Sequence, residues 1–318
     1  MISNPFLVHK VQFVFDLFLE KKTTSLYNPR LKNHLTQKSV LTENSFLNII
    51  NSKVIIVKDI PDYIEVIGQE SHSYKCKKVP QYKGFLINLL RYQDIKDYLI
   101  DNLNKRNRKN LFSKRNKLHG EYQIRYECYH KKIDKFDYDL IFDRFYILLE
   151  QRFREKKVYN RYLMDWQKLH EETYQKILNG DASLYVIFNE KEPISITLNF
   201  HLGDIVFSHI HTYDIEYSKY NLGDINMFAN IEWCLDNKIS IFDLSMGKTY
   251  NKQKWCNYEY RFMYHVYYNS DSLFGRLSSS MVMLKLKLIQ YLRNKGIVGN
   301  LFQFDKLRYW IKRGTQRL

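Results

Sequence analysis

Residues 205–255 bring together side chains that could do chemistry. His209, His211 and Tyr213 alternate in the run DIVFSHIHTY, and alternation along an extended strand places all three on one face. Histidine, with an ordinary pKa of about 6.5, is suited to proton transfer near neutrality. The other reading is a half-buried sheet face whose imidazoles are simply hydrogen-bonded. Asp243 lies in the next apolar run, ISIFDL, where a carboxylate could act as a base, orient a histidine, hold an amine, or merely bond backbone or Lys248. Tyr250, Lys252 and Lys254 follow in a polar loop, facing either a ligand or water. Between the two runs, a polar turn carrying Gly223 opens a helix whose Ile225, Phe228, Ile231 and Leu235 keep one face dry. A strand that turns through glycine into a helix presents unpaired N–H groups to an anion. The unit therefore reads as a cradle for a phosphate-bearing cofactor.

These residues need a scaffold. Residues 121–129 alternate as a strand, and 133–156 and 161–179 have helical spacing. SLYVIF, PISITLNFH and DIVFSHIHTY read as three strands joined by the turns NEKE and LGD. A helix over 222–237, a strand over 239–244, a short helical piece over 249–256 and a strand over 258–268 follow. This order predicts an α/β (α+β) fold with a mixed, mostly antiparallel sheet flanked by helices. Upstream, 6–20 has apolar residues on a helical face, 53–60 and 84–89 read as strands, and 92–118 as a helix. That helix carries KRNRKNLFSKRNK, whose seven Lys or Arg form either a solvated face or a docking edge for an acidic ligand. The tail from Ser278 reads as helical and basic, with Met281, Leu284, Leu288 and Leu292 in register. It either packs on its own domain or lies on an anionic membrane. The expected divisions are 1–120, 121–270 and 271–318.

Composition narrows the classes. A chain of 318 residues that is 45% hydrophobic and 26% charged is globular rather than disordered. Its formal charge of +16 points to an acidic partner: nucleic acid, an anionic membrane, or a polyphosphorylated cofactor. Base bias in the source genome would give the same surplus. Cys76, Cys128, Cys234 and Cys256 have neither metal nor redox spacing, so no metal is expected and the thiols suit a reducing, cytoplasmic compartment. The apolar N-terminus lacks a basic start and a small-residue cleavage site, and no run of eighteen apolar residues occurs.

The order of elements resembles the Gcn5-related N-acetyltransferase (GNAT) fold. The residues resemble its CelD/FemAB-like (Acetyltransf_6-type) branch. The matching stretches are TYD at 212–214, KYNLGD at 219–224, the helix 225–238, IFDLSMG at 241–247, and Tyr250 with Lys252 or Lys254. The basic helix ending in KRNKL is also alike, and the resemblance spans most of 85–268. Asn221 stands where the branch often has proline, and the loop 248–254 does not fix which lysine corresponds.

The resemblance implies acyl-CoA, acetyl-CoA first, as donor. Its diphosphate would lie on Tyr220, Asn221, Leu222, Gly223 and Asp224, with Asp224 capping the helix, and its pantetheine between splayed strands at 209–213 and 242–245. A tandem arrangement is implied as well, with 1–120 a degenerate GNAT-like copy. Direct attack by a primary amine needs a base, donors for the oxyanion and an acid for the thiolate. His211 or Asp243 would be the base, backbone N–H groups of 205–213 the donors, and Tyr250 the acid. His209, Tyr213, Lys252 and Lys254 would hold the acceptor. The implied acceptor is an amino sugar, nucleotide- or lipid-linked, for a surface glycan, with membrane contact through the tail. Two alternatives stay open: FemAB-like transfer from aminoacyl-tRNA into peptidoglycan, and a non-catalytic module that grips an acidic ligand through 105–117.

Overall fold

The computed structural model describes residues 8–41, 46–47, 53–68, 74–160, 162–298 and 309. In chain order the main elements are β1 (Val8–Gln12), α1 (Phe13–Glu20), β2 (Val54–Pro61), β3 (Tyr74–Asn88), α2 (Ile95–Asn102), α3 (Lys105–Glu121), β4 (Ile124–Tyr129), α4 (Lys135–Lys156) and α5 (Trp166–Asn179). They continue as β5 (Ala182–Asn189), β6 (Glu192–Leu202), β7 (Ile205–Tyr213), α6 (Leu222–Asp236), β8 (Ile241–Met246), α7 (Tyr250–Trp255), β9 (Tyr258–Asn269) and α8 (Leu273–Asn294). Two compact units divide the chain. One comprises Met1–Phe85, Met246–Lys248 and Glu259–Phe302; the other comprises Leu86–Ser245, Thr249–Tyr258 and Gln303–Leu318. The divide thus falls near 85 and 258, where the sequence suggested 120 and 270. The reason is local: α2 and α3 pack against α6, and β9 pairs with β2.

In the first unit the strand order is β1-β2-β9-β3. β1 runs parallel to β2, with Val8 opposite Val54 and Lys10 opposite Ile56, and β9 runs antiparallel to β2. Residues 8–12, expected inside a helix over 6–20, are therefore a strand, and Phe6 lies outside the described residues. VHKVQ fits a strand as well as a helix by pattern, and the ladder to β2 decides between them. One side of α8 sends Val282, Met283 and Leu286 into a core with Val54, Ile56, Val79, Tyr264, Val266 and Tyr268. Its other side leaves Leu273, Leu277, Met281, Leu284, Leu288 and Tyr291 between 55% and 71% exposed.

In the second unit the strand order is β4-β5-β6-β7-β8, antiparallel except for the parallel pair β7/β8 that the α6 crossover joins. Helices cover both faces. Thr212 Oγ1 donates to the Leu148 carbonyl of α4 at 3.3 Å, on the face opposite Thr197. On the Thr197 face, α6 presents two buried amides. Thr197 Oγ1 donates to Asn226 Oδ1 at 2.8 Å, and Asn199 Nδ2 donates to Asn230 Oδ1 at 3.0 Å. Of the expected dry face of α6, Ile225, Phe228 and Ile231 are buried and Leu235 is half-buried. The polar ladder beside it follows from α6 lying over strand residues that themselves need partners. α3 runs on to Glu121 and buries Leu111 and Leu118, so β4 begins only at Ile124.

Candidate functional site

The site is organised by an incomplete ladder. β7 and β8 pair through Ile205–Ile241, Val206–Phe242 and Phe207–Asp243, and the described pairing stops there. Each strand contains a reason to leave. In β8, Asp243 Oδ1 accepts the Ser245 N–H at 2.6 Å, and Ser245 sits in the left-handed region at φ 63. A side-chain oxygen that captures the N–H two residues on favours such a turn. In β7, the register to β6 shifts at Leu198/Asn199 and leaves His209 as the extra residue of a β-bulge. A bulge bends its strand and adds local twist. Beyond Phe207 the two strands therefore diverge beside the head of α6.

The bulge also corrects the face assignment. His211 pairs with Thr197 on the α6 face, whereas His209 packs against Phe200, Phe207 and Tyr162 at 5.4, 6.2 and 5.5 Å between ring centroids. The two histidines therefore do not share a face, because one inserted residue breaks the alternation. His211 Nε2 lies 3.3 Å from Ser195 Oγ. The ring keeps some accessible surface, but protein atoms crowd it. This desolvation, reinforced by Arg152 and then Lys156, pushes its pKa down to about 3. It is a neutral imidazole throughout the physiological range.

At the head of α6 the left-handed residue is Asn221, at φ 55, rather than Gly223. It closes a 3-10 turn over Ile215–Tyr220 and starts the helix, and its side chain makes no capping bond. Proline is locked near φ −65°, so the departure at this position means a different turn. Gly223 lies in the first helical turn. A Cβ there would stand 3.7 Å from Asn251 Nδ2 and 3.8 Å from Tyr213 Cε1, which is ordinary contact. A single methyl would thus just touch both side chains.

Other members of the expected cradle face elsewhere. The Asp224 carboxylate accepts from Lys254 Nζ at 2.5 Å, Trp255 Nε1 at 2.9 Å and Asn251 Nδ2 at 3.2 Å. It anchors α7 instead of capping its own helix. Tyr220 is buried and its hydroxyl donates to Glu121, while Leu222 is fully buried. From this stretch, backbone and the exposed Asn221 side chain are left to meet a diphosphate. Lys254 is taken up by Asp224, with side-chain exposures of 5% and 13%. Burial pulls Lys252 down to about 8 against the opposing pull of Asp243, which is itself fully buried. Tyr250 is 77% exposed and lines an open groove of 720 Å³ with Arg106, Asn107, Lys109 and Ser113 of α3.

Residues 105–258 match the family profile described as "Acetyltransferase (GNAT) domain". This segment is a GNAT domain. No curated protein matches the chain. Similar solved structures include FemX, at 9% identity over 67% of this chain and 72% of that chain, with a TM-score of 0.45. L-PGS from Bacillus licheniformis follows at 11% identity, 74% and 73% coverage and a TM-score of 0.42. A tandem GNAT protein from the clavulanic acid biosynthesis pathway stands at 9% identity, 68% and 64% coverage and a TM-score of 0.36. At these scores the likenesses bear on neither donor nor acceptor.

Within the GNAT domain, sequence reading missed Arg152 and Lys156, the cations that act on His211. They sit in QRFREKK, which reads as the charged end of a solvated helix. It missed Asn251 and Trp255 too, because nothing in the sequence announces that Asp224 is their partner. Among the described residues, no helix is long and apolar enough to cross a membrane.

Proposed function

We propose that the GNAT domain is an N-acyltransferase. It transfers an acyl group, acetyl in the first instance, from coenzyme A to a primary amine of a small polar acceptor. An amino sugar or nucleotide-linked amino sugar for a surface glycan is the acceptor favoured by family analogy. The observation that carries this reading is the ladder that ends at Phe207–Asp243 beside an accessible helix head. A thioester donor supplies a carbonyl open to attack and a thiolate leaving group. In the gap, backbone N–H groups of β7 beyond Phe207 can donate to the developing oxyanion. Backbone N–H groups at Leu222 and Gly223 meet the diphosphate, with the Asn251 amide beside them.

The proton falls to a residue other than His211. An imidazole near 3 is too weak a base for an ammonium, so His211 serves as a neutral hydrogen-bonding wall. Lys252, held near 8 beside Asp243, is matched to taking that proton at mildly alkaline pH. The amine nitrogen then forms the amide bond as the carbon–sulfur bond breaks. Incubation of the protein with acetyl-CoA and a panel of amino sugars, followed by intact-mass analysis, tests the reading. An added acetyl group on any member supports it. No added mass, together with a shifted band for charged tRNA that fades steeply with salt, replaces the donor by aminoacyl-tRNA.

A second reading concerns where the enzyme works. The exposed stripe of α8 is flanked by exposed Arg276, Lys285 and Lys287, and LFGRLSSSMVMLKLKLIQYLRN contains no acid. An apolar stripe with basic borders suits an anionic bilayer surface. Phosphatidylglycerol vesicles should pellet the protein and phosphatidylcholine vesicles should not, with Leu284→Glu abolishing the effect. A stripe that instead dimerises, so that Leu284→Glu yields monomers without any vesicle binding by the wild type, overturns it.

A further inference from the structure

α4 carries three arginines whose surroundings differ. Arg144 pairs with Asp214 at 2.6 Å and Glu192 at 2.8 Å, and Arg154 pairs with Glu150 at 2.9 Å. Arg152 has no carboxylate partner among the described residues. Its guanidinium lies 4.3 Å from the centre of the Tyr213 ring, and its Nη1 is buried with no hydrogen-bond partner among them. Lys156 stands one helical turn further along the same face. Its ammonium is destabilised first by burial and then by Arg152, with Glu155 opposing more weakly. Glu155 also lines a separate cavity with Arg144, Arg154 and Asp214. Arg152, with its orphaned N–H, thus lies against Tyr213, and both cations act on His211. Buried donors of this kind are ordinarily satisfied, and an oxyanion is the group that would satisfy a guanidinium and an ammonium together.

The location says which ligand would bring that oxyanion. Tyr213 is shared: its Cε1 lies near the Gly223 backbone, and its ring also meets the Arg152 guanidinium. The donor's diphosphate, on the reading above, lies at the head of α6. The cations come from α4, a different element, and Arg152 meets the Tyr213 ring at the end of β7. We propose that Arg152 and Lys156 form an oxyanion subsite that receives a carboxylate or phosphate carried by the acceptor, so that the enzyme selects acidic amines. The inference rests on the acyltransferase reading for the identity of the ligand, though not for the existence of the anion site. A guanidinium fork fits both anions, so the chemistry is shared and the source is separated by experiment.

The test uses the full chain, first titrated with coenzyme A. Inorganic phosphate and acetate are then titrated separately by calorimetry into wild type, Arg152→Gln and Lys156→Gln, with coenzyme A present at saturation and ionic strength held constant. The wild type should bind at least one anion, and Arg152→Gln should weaken it at least tenfold while leaving coenzyme A affinity within twofold. Arg152→Lys should recover part of the loss. Equal anion binding by wild type and Arg152→Gln, or none by either, overturns the subsite. If coenzyme A fails to bind but the anion difference persists in its absence, the donor assignment falls and the anion site stands. With acceptors, KM for glucosamine 6-phosphate or a carboxylated amino sugar should rise at least tenfold in Arg152→Gln. KM for glucosamine should stay unchanged. A uniform change across all three acceptors would also overturn the proposal, since a structural role alone would produce it.

Discussion

Replacing Asp224 with alanine distinguishes an anchoring carboxylate from one that faces the ligand, because the two roles predict opposite signs for coenzyme A binding. In the structure its oxygens hold Lys254, Trp255 and Asn251, and both ends of the ion pair are largely buried. Alanine leaves an ammonium enclosed without its counter-ion, a change that typically costs about 3–5 kcal/mol. The orphaned indole N–H adds about 1 kcal/mol or more. We therefore expect Asp224→Ala to lose about 4 kcal/mol, on the order of 10 °C in Tm. Asp224→Ala/Lys254→Met, which removes the stranded charge, should regain at least half. Urea unfolding followed by tryptophan fluorescence reads the stability, and calorimetry reads coenzyme A binding, which the double variant should retain. An Asp224→Ala protein as stable as wild type that binds coenzyme A more tightly would refute the anchoring role. It would return the carboxylate to the diphosphate.

Three further outcomes follow from the site. Gly223→Ala should fold as well as wild type or gain up to about 1 kcal/mol, since its Cβ meets only ordinary contacts, yet coenzyme A should bind at least tenfold more weakly. Unchanged affinity would mean that no ligand approaches that backbone. His211 is held near 3 against about 6.5 unfolded, so the folded state binds fewer protons there and is penalised as pH falls from about 6.5 towards 3. Wild-type stability relative to His211→Gln should then drop by about 1.4 kcal/mol per pH unit between roughly pH 6 and 4, and parallel curves would contradict the buried neutral imidazole. If Lys252 takes the acceptor's proton, the kcat profile has a rising limb near 8, and Lys252→Arg, which stays charged, lowers kcat at least tenfold without that limb. An unaltered profile removes Lys252 from the reaction.

Much of this architecture could be read from pattern. The meander of β5, β6 and β7 and the crossover through α6 alternate or repeat over eight residues or more, long enough for period to separate strand from helix. The five residues of β1 were too few, and their partner β2 settled the matter. Site geometry was less legible, because it depends on relations between segments. His209 was assigned to the face of His211 since a bulge is defined only against the partner strand. Gly223 drew attention as the turn residue, while Asn221 adopts the left-handed conformation that asparagine tolerates. Asp224 and Lys254 looked like separate ligand contacts thirty residues apart, and only the packing of α7 on α6 reveals them as one ion pair. Arg152 gave no signal at all, because an arginine near a helix end is ordinarily solvated.

The direct test of the central claim is calorimetric titration of the full chain with coenzyme A at moderate salt, beside the same titration of Gly223→Ala. The account predicts one saturable site in the wild type and a clear loss in the variant at unchanged Tm. No heat of binding up to millimolar coenzyme A, or equal binding by both proteins, would contradict a donor site where β7 and β8 part.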